Sequence, residues 1–296
     1  MSTKTLRWGS PPTGIHNAPI YLGLDRGIFG VPGVAVEARD NISGADYTEE
    51  LVAGAFDMGH IGTPPLFAAL ARTDDYAVVG LGMMKFPPFY LVTPPEVNSV
   101  RDLAGRAVAL NKLRTCPHSI IRTLLRREGM DDSDIRLLSL VEGGPIVAAI
   151  GRGELGAAML WEPYVSFVER VFGWKVLFAG RTAISPPNYG FALYARRSLL
   201  ASEPTLVRGM MDAYAESVRA TKQDLPAAKA TVQERITDVR PQDLDRGFQR
   251  DAPYWSDDTR LDAGFLKNVM GEMEIQAVIP DGFNLADYLA EAPQAV

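Results

Sequence analysis

Short apolar runs alternating with stretches of helical periodicity constrain this chain more than any other feature, because that order marks βα units wound around largely parallel sheets. Residues 5–8 read as a strand, the Ser10-Pro11-Pro12-Thr13-Gly14 loop breaks it, 18–26 read as a helix stopped by Gly27, and 34–37 as the next strand. Residues 48–53 then give a short helix, 56–59 a strand, 64–71 a helix opening on Pro64-Pro65, and 76–81 and 89–93 buried strands. Thr93-Pro94-Pro95 marks a linker-like break. A second set of units follows, with strands at 106–110, 135–140, 157–160 and 175–179, helices at 119–127 and 146–152, and a strand at 191–195 that crosses back. From Pro204 the pattern is helical. The expected fold is α/β and two-lobed, each lobe a mixed sheet flanked by helices. Residues 1–93 plus 195–296 form lobe 1, with the C-terminal helices against it, and 94–194 form lobe 2.

An internal repeat supports two similar lobes. Glu50-Leu51-Val52-Ala53-Gly54-Ala55-Phe56-Asp57-Met58-Gly59, followed by Thr63-Pro64-Pro65-Leu66, parallels Ala148-Ala149-Ile150-Gly151-Arg152-Gly153-Glu154-Leu155-Gly156-Ala157, followed by Trp161-Glu162-Pro163-Tyr164. Both read as helix, glycine turn, acidic residue, small-residue strand and proline-bearing loop, an order that also recurs generally in α/β proteins. Each strand delivers its loop to the carboxyl edge of its sheet, where open α/β sheets bind ligands.

Composition narrows the partners. With 296 residues, 47% of them hydrophobic, the chain can bury the cores of two lobes. A formal charge of -6 and scattered Lys and Arg leave no basic stripe, so nucleic acid is not an expected partner. The single Cys116 excludes an intrachain disulfide and a cysteine-rich zinc site. No run of about 18 apolar residues is present, so no membrane insertion is expected. Met1 to Gly9 carries no export-signal pattern, so the chain as given reads as cytoplasmic, and as periplasmic if a leader was removed.

Five stretches carry a family likeness: Trp8 with His16-Asn17-Ala18-Pro19-Ile20-Tyr21-Leu22 and Arg26-Gly27-Ile28-Phe29; Asp57-Met58-Gly59; Asp102-Leu103-Ala104-Gly105-Arg106; Leu160-Trp161-Glu162-Pro163-Tyr164; and Ala195-Arg196-Arg197-Ser198-Leu199-Leu200 with Glu203-Pro204. In this order and spacing the chain resembles the superfamily of nitrate, taurine and aliphatic-sulfonate binding proteins of ABC importers, which also contains thiamine-pyrimidine synthases and their precursor-binding relatives. The resemblance implies a type II periplasmic-binding-protein fold, a ligand cleft lined by loops that start helices, an ABC permease as partner if the chain is exported, and a monomer. It also places Leu113-Arg114-Thr115-Cys116-Pro117-His118 at the Gly-, Ser- and His-rich loop of sulfonate binders. Two departures stand out. Arg114 replaces the usual glycine, and Pro186-Pro187-Asn188-Tyr189-Gly190 stands where pyrimidine synthases carry a cysteine cluster.

The chemistry-bearing residues follow from these positions. All three histidines fall at predicted loop-to-helix junctions: His16 before the first helix, His60 after the 56–59 strand, and His118 before the helix near Ser119. Backbone N–H groups and the dipole at such junctions attract anions, and each histidine reads equally as a hydrogen-bonded cap. Cys116, at a helix start beside Arg114 and His118, has three influences that lower a thiol pKa, or else replaces a ligand-binding serine. With Glu142, the histidines and Cys116 can supply a nucleophile or a base, while their spacing matches no metal site. Trp8, Phe86, Phe89, Trp161 and Tyr189 suit an apolar wall, with the core as their alternative. Lys85 and Lys112 are candidate anion partners. Ser10, Asn17, Thr63, Glu162 and Asn188 complete the expected ligand contacts. No cofactor is expected.

The main reading is a binding module that closes on a small organic anion, a carboxylate, sulfonate or sulfinate, aromatic or alkyl. The alternative is a cytosolic enzyme on the same fold, a desulfinase, decarboxylase or hydrolase acting on an aromatic acid through His16, His60, His118 and Cys116. Fold alone does not separate the two.

Overall fold

The computed structural model describes residues 4–113, 115–183, 189–275, 279–280 and 282–290; Arg114 and Asn188, named above, lie outside the described residues. The strands are β1 (Lys4–Ser10), β2 (Val34–Asp40), β3 (Met58–Gly62), β4 (Tyr76–Leu81), β5 (Tyr90–Thr93), β6 (Ala107–Leu110), β7 (Arg136–Ser139), β8 (Ala157–Leu160), β9 (Lys175–Ala179) and β10 (Phe191–Arg196). They build two five-stranded sheets, ordered β2-β1-β3-β10-β4 and β7-β6-β8-β5-β9. In the first, β1 runs parallel to β2 and β3 while β10 is antiparallel to β3 and β4. In the second, β6 runs parallel to β7 and β8 while β5 is antiparallel to β8 and β9.

The two sheets therefore share one plan. In each, the strand that arrives from the other sheet, β10 or β5, occupies the fourth place. The expected two-lobed α/β architecture is present, with one shift: β5, assigned from sequence to lobe 1, pairs in the second sheet, and β10 starts at Phe191 in the first. The prolines at 94–95 end β5 instead of marking the crossing, which lies between Leu81 and Tyr90.

The internal repeat is visible in space. Helix Gly44–Val52 leads through Gly54 into β3, and helix Gly143–Gly151 leads through Gly153 into β8. Both glycines are left-handed, with φ of 74° and 70°, a conformation that glycine adopts without a Cβ penalty. After β3 and β8 the chain enters helices Thr63–Leu70 and Tyr164–Phe172, which carry prolines at Pro64, Pro65 and Pro163 where a helix start loses no hydrogen bond by them.

Period-two burial divides the strands between cores. On β5, β6 and β8, Tyr90, Val92, Ala107, Ala109, Ala158 and Leu160 face a cluster with Ile146, Val165 and Val168; Leu91, Val108, Leu110 and Met159 face the opposite way. That opposite cluster continues through Ile120, Ile121 and Leu124 of helix Cys116–Arg127 to Tyr47, Ile61, Phe67 and Tyr76 of the first lobe. The other face of the first sheet, with Leu6, Trp8, Met58 and Leu193, is covered by helices Ala18–Asp25 and Pro204–Gln223. Each such buried Leu, Ile or Phe contributes about 1.5–3 kcal/mol. Among the described residues no helix is long and apolar enough to cross a membrane.

Candidate functional site

The carboxyl ends of β1, β3, β6 and β8 point to one interlobe cavity. The loop after β1 supplies Pro11, Pro12 and His16; the end of β3 and the helix after it supply Ile61, Gly62 and Pro65. Across the gap, the loop after β6 supplies Asn111, Thr115, Cys116 and Pro117, and the residue after β8 is Trp161. Phe89 and Phe191, flanking the two crossings, complete the wall with Gly44. The lobes meet closely, leaving a volume of about 30 Å³, room for one or two water molecules. A Cβ at Gly62 would stand 2.4 Å from Sγ of Cys116, so glycine is what allows the lobes this contact.

The walls are apolar and poor in hydrogen-bond donors. Helices Thr63–Leu70 and Cys116–Arg127 both start in the cavity, but Pro64, Pro65 and Pro117 remove backbone N–H groups that a helix start would offer to an anion. Thr115 Oγ1 donates to Lys112 O at 2.6 Å, with Asn111 Oδ1 3.0 Å away; Lys112 N also donates to Asn111 Oδ1 at 2.8 Å. The hydrogen-bonding capacity left to Asn111 is that of its NH₂, a donor. Trp161 Nε1 donates across the lobes to Thr13 O at 3.2 Å, and its ring meets Phe89 edge-on at 6.1 Å. Lys112 Nζ reaches Asp46 of the other lobe at 2.6 Å.

His16 lines this cavity, buried, with its Nε2 2.7 Å from Pro12 O. Burial lowers its pKa to about 4, so it is a neutral ring near neutral pH that donates to Pro12 and keeps Nδ1 as an acceptor. His60 is not in a loop, as its position after residues 56–59 suggests, but within β3, because the strand runs on to Gly62. It lies wholly buried behind Phe191, 5.6 Å between ring centres, and its Nδ1 accepts from Trp8 Nε1 at 3.4 Å. Burial lowers its pKa to about 3. His118 is inside helix Cys116–Arg127 and faces Asp132 at 3.5 Å, outside the cavity wall. Cys116 does line the cavity, yet its thiol is not acidified. Burial pushes it up to about 12 and outweighs the helix N-terminus, which corrects the expectation of a lowered thiol pKa.

The remaining candidates fall in three places. Asn17 and Thr63 shape the cavity from behind: Asn17 Nδ2 donates to Pro11 O at 3.0 Å, and Thr63 N donates to Gly190 O at 2.9 Å. Trp8, Ser10, Phe86 and Tyr189 are buried beside them, Ser10 through a carbonyl that accepts from Asn41 Nδ2 at 3.0 Å. Glu142, with φ of 72°, lines an outer pocket of about 410 Å³ with Asp40, Arg235 and Asp238, which shares Pro12 and Trp161 with the cavity. Lys85 lies 3.5 Å from Asp258, away from both.

Glu162 turns from the cavity into a buried ionic seam. Its Oε1 accepts from Arg250 Nη1 at 2.7 Å and Ser166 Oγ at 3.1 Å, and Oε2 accepts from Ser166 N at 3.2 Å. Arg250 also reaches Glu169 at 2.6 Å, and Arg170 grips Asp243 at 2.6 and 2.7 Å. Burial raises Glu162 to about 7 and Asp251, hydrogen-bonded to Tyr90, to about 6. Nothing in the sequence separates Glu162 from its neighbour Trp161 as a seam residue. Asn111 and the prolines, by contrast, follow from the carboxyl-edge rule applied to β1, β3 and β6, while Phe191 stands at the amino end of antiparallel β10.

Comparison with known proteins agrees with this fold. The family model described as NMT1/THI5 like matches residues 15–227. The taurine-binding periplasmic protein of Escherichia coli is 26% identical over 138 residues, 47% of this chain and 42% of that one. The chain spans about half the length of the curated relatives it matches. The alkanesulfonate-binding protein SsuA of Xanthomonas axonopodis, bound to MOPS, superposes with a TM-score of 0.83 at 19% identity, over 99% of this chain and 100% of that one. The periplasmic aliphatic sulphonate binding protein of Escherichia coli gives 0.81 at 18%, over 100% and 94%.

Proposed function

Because the chain belongs to the NMT1/THI5-like family, we propose that it is the solute-binding component of an ABC importer, a monomer that closes its lobes on a small organic carboxylate, sulfonate or sulfinate and hands it to a membrane permease. The observation that carries this reading is the cavity made jointly by both lobes at the carboxyl ends of four parallel strands. The relatives' names support the periplasm as its compartment, in place of the cytoplasm expected from the chain's first residues. The reading assigns ligand contacts to His16, Thr115, Cys116 and Trp161, and the charge of the anion to Arg114, with Asn188 as a further polar contact. A thiolate enzyme is disfavoured, because burial keeps the Cys116 thiol protonated near neutral pH and makes His16 a weak base.

A calorimetric and thermal-shift screen of small carboxylates, sulfonates and sulfinates tests it. At a hundred times Kd a ligand of the folded state stabilises by about 2.7 kcal/mol. Arg114→Ala is expected to weaken binding by about 1.5–3 kcal/mol, roughly ten- to 150-fold, while folding is retained. No shift with any anion, beside a clear shift with a sugar or a cationic amine, would overturn the reading.

A further inference from the structure

We infer that the cavity rejects ligands that carry an ammonium group and selects organic anions with an uncharged, apolar body, so that aminosulfonates of the taurine type are not its ligands. This rests on the anion reading above and narrows it. A buried ammonium has three N–H donors and a full charge, and it needs carboxylates or several acceptors in place of the water it loses. Among the described residues no carboxylate lines the cavity; Pro11, Pro12, Pro65, Pro117, Ile61 and the rings of Phe89, Phe191 and Trp161 make up most of its wall.

The carboxylates around the cavity are each held elsewhere. Asp46 accepts from Lys112 at 2.6 Å and from Ser43 at 2.5 Å. Asp40 accepts from Thr13 at 3.0 Å and from Tyr21. Glu162 is bound by Arg250 and Ser166, and Asp251 by Tyr90. Glu142 and Asp238 stand in the outer pocket, beyond Pro12 and Trp161. What the described wall offers to an ammonium is neutral acceptors alone, the hydroxyl of Thr115, which donates to Lys112 O, and the ring of His16, whose Nε2 is bonded to Pro12. A methyl group against the prolines and rings needs no hydrogen-bond partner.

Isosteric pairs isolate this one difference. Propane-1-sulfonate and taurine differ by a methyl for an ammonium, as do butyrate and β-alanine, and butane-1-sulfonate and 3-aminopropane-1-sulfonate. Titration calorimetry on the intact chain is expected to show the methyl member binding tighter by about a hundredfold or more in every pair that binds. Equal affinity within a pair, or tighter binding of the ammonium member, overturns the inference and leaves the anion reading standing. Failure of both members of all three pairs and of every other anion overturns the anion reading, and the inference with it.

Discussion

Trp161 and Glu162 are neighbours in the chain, yet they belong to opposite kinds of interlobe surface. Trp161 faces a cavity walled by prolines and aromatic rings, where hydrogen bonds are few. Glu162 faces the seam along helix Pro241–Asp251, where Arg250, Glu169, Arg170 and Asp243 pair at 2.6–2.7 Å. The helix carries Leu244 and Phe248 into the first-lobe core while its polar side meets helix Tyr164–Phe172 of the second. The contrast assigns different work to the two surfaces. Fixed ion pairs join the lobes behind the cleft, whereas among the described residues lining the cavity none forms a charge pair; Lys112 pairs with Asp46 at its edge.

The largest expected effect falls on the seam. Arg250→Ala leaves Glu162 and Glu169 without their shared cation, and removing one partner of a buried pair typically costs about 3–5 kcal/mol. A denaturant melt should show this loss, while calorimetry on the folded fraction finds ligand affinity within about threefold of the parent. A variant that keeps its stability but loses affinity would break the division, because the seam would then be closing the cleft on the ligand rather than fixing the lobes behind it.

The seam also sets a pH dependence opposite in sign to that of the buried histidines at the cavity. Glu162, raised to about 7, is surrounded by Arg250, Asp251 and Ser166, with Glu169 and Arg246 beyond. Asp251, raised to about 6, faces Tyr90, Arg181 and Arg250. An acid whose pKa is higher in the folded state holds its proton there after the unfolded chain has lost it, so folding is favoured below the unfolded value, about pH 4, and that contribution disappears as pH rises through about 7. These two acids lower stability across this window by up to about 1.4 kcal/mol per pH unit each, while His16 and His60, lowered to about 4 and about 3, oppose them below about pH 6.5. Melts from pH 4 to 8 measure the balance, and Glu162→Gln should shift the slope between about pH 5 and 7 in the positive direction, by up to about 1.4 kcal/mol per pH unit. An unchanged slope in that variant would assign the dependence to other groups.

The two surfaces differ as much in how they can be read. Strand alternation, the left-handed Gly54 and Gly153, and the matched loops after β3 and β8 are local features, so the fold is legible in short windows of sequence. The cavity is half legible. His16, Thr115, Cys116 and Trp161 stand at carboxyl ends of strands or helix starts, where sequence rules look for ligands, whereas His60 continues a strand and His118 lies on a helix face toward Asp132. The seam is not legible, because Arg250 reaches Glu162 across 88 positions and nothing near either residue signals the other. Burial is the other quantity that local patterns leave out, and it reverses the sign of the Cys116 pKa shift.

Cys116 therefore gives the smallest effect and the finest test of the cavity's character. Its place at the start of helix Cys116–Arg127 favours a thiolate through the helix dipole, but burial against Gly62 and its apolar neighbours pushes the thiol up to about 12. Near neutral pH it is fully protonated, so iodoacetamide should label it at least about a hundredfold more slowly than a free thiol of pKa about 8.5, and bound ligand should slow it further. Cys116→Ser exchanges a thiol for a smaller hydroxyl in the same wall. Affinity should stay within about tenfold, or ~1.4 kcal/mol, since the exchange alters packing and leaves the charge of the wall unchanged. Fast labelling that ligand blocks, joined to release of sulfite or carbon dioxide from an aromatic sulfinate or carboxylate that Cys116→Ser abolishes, would place a thiolate and a reaction in the cavity. The apolar wall would then be a desolvated reaction site, and the separation between a passive cleft and a charged seam would no longer describe this molecule.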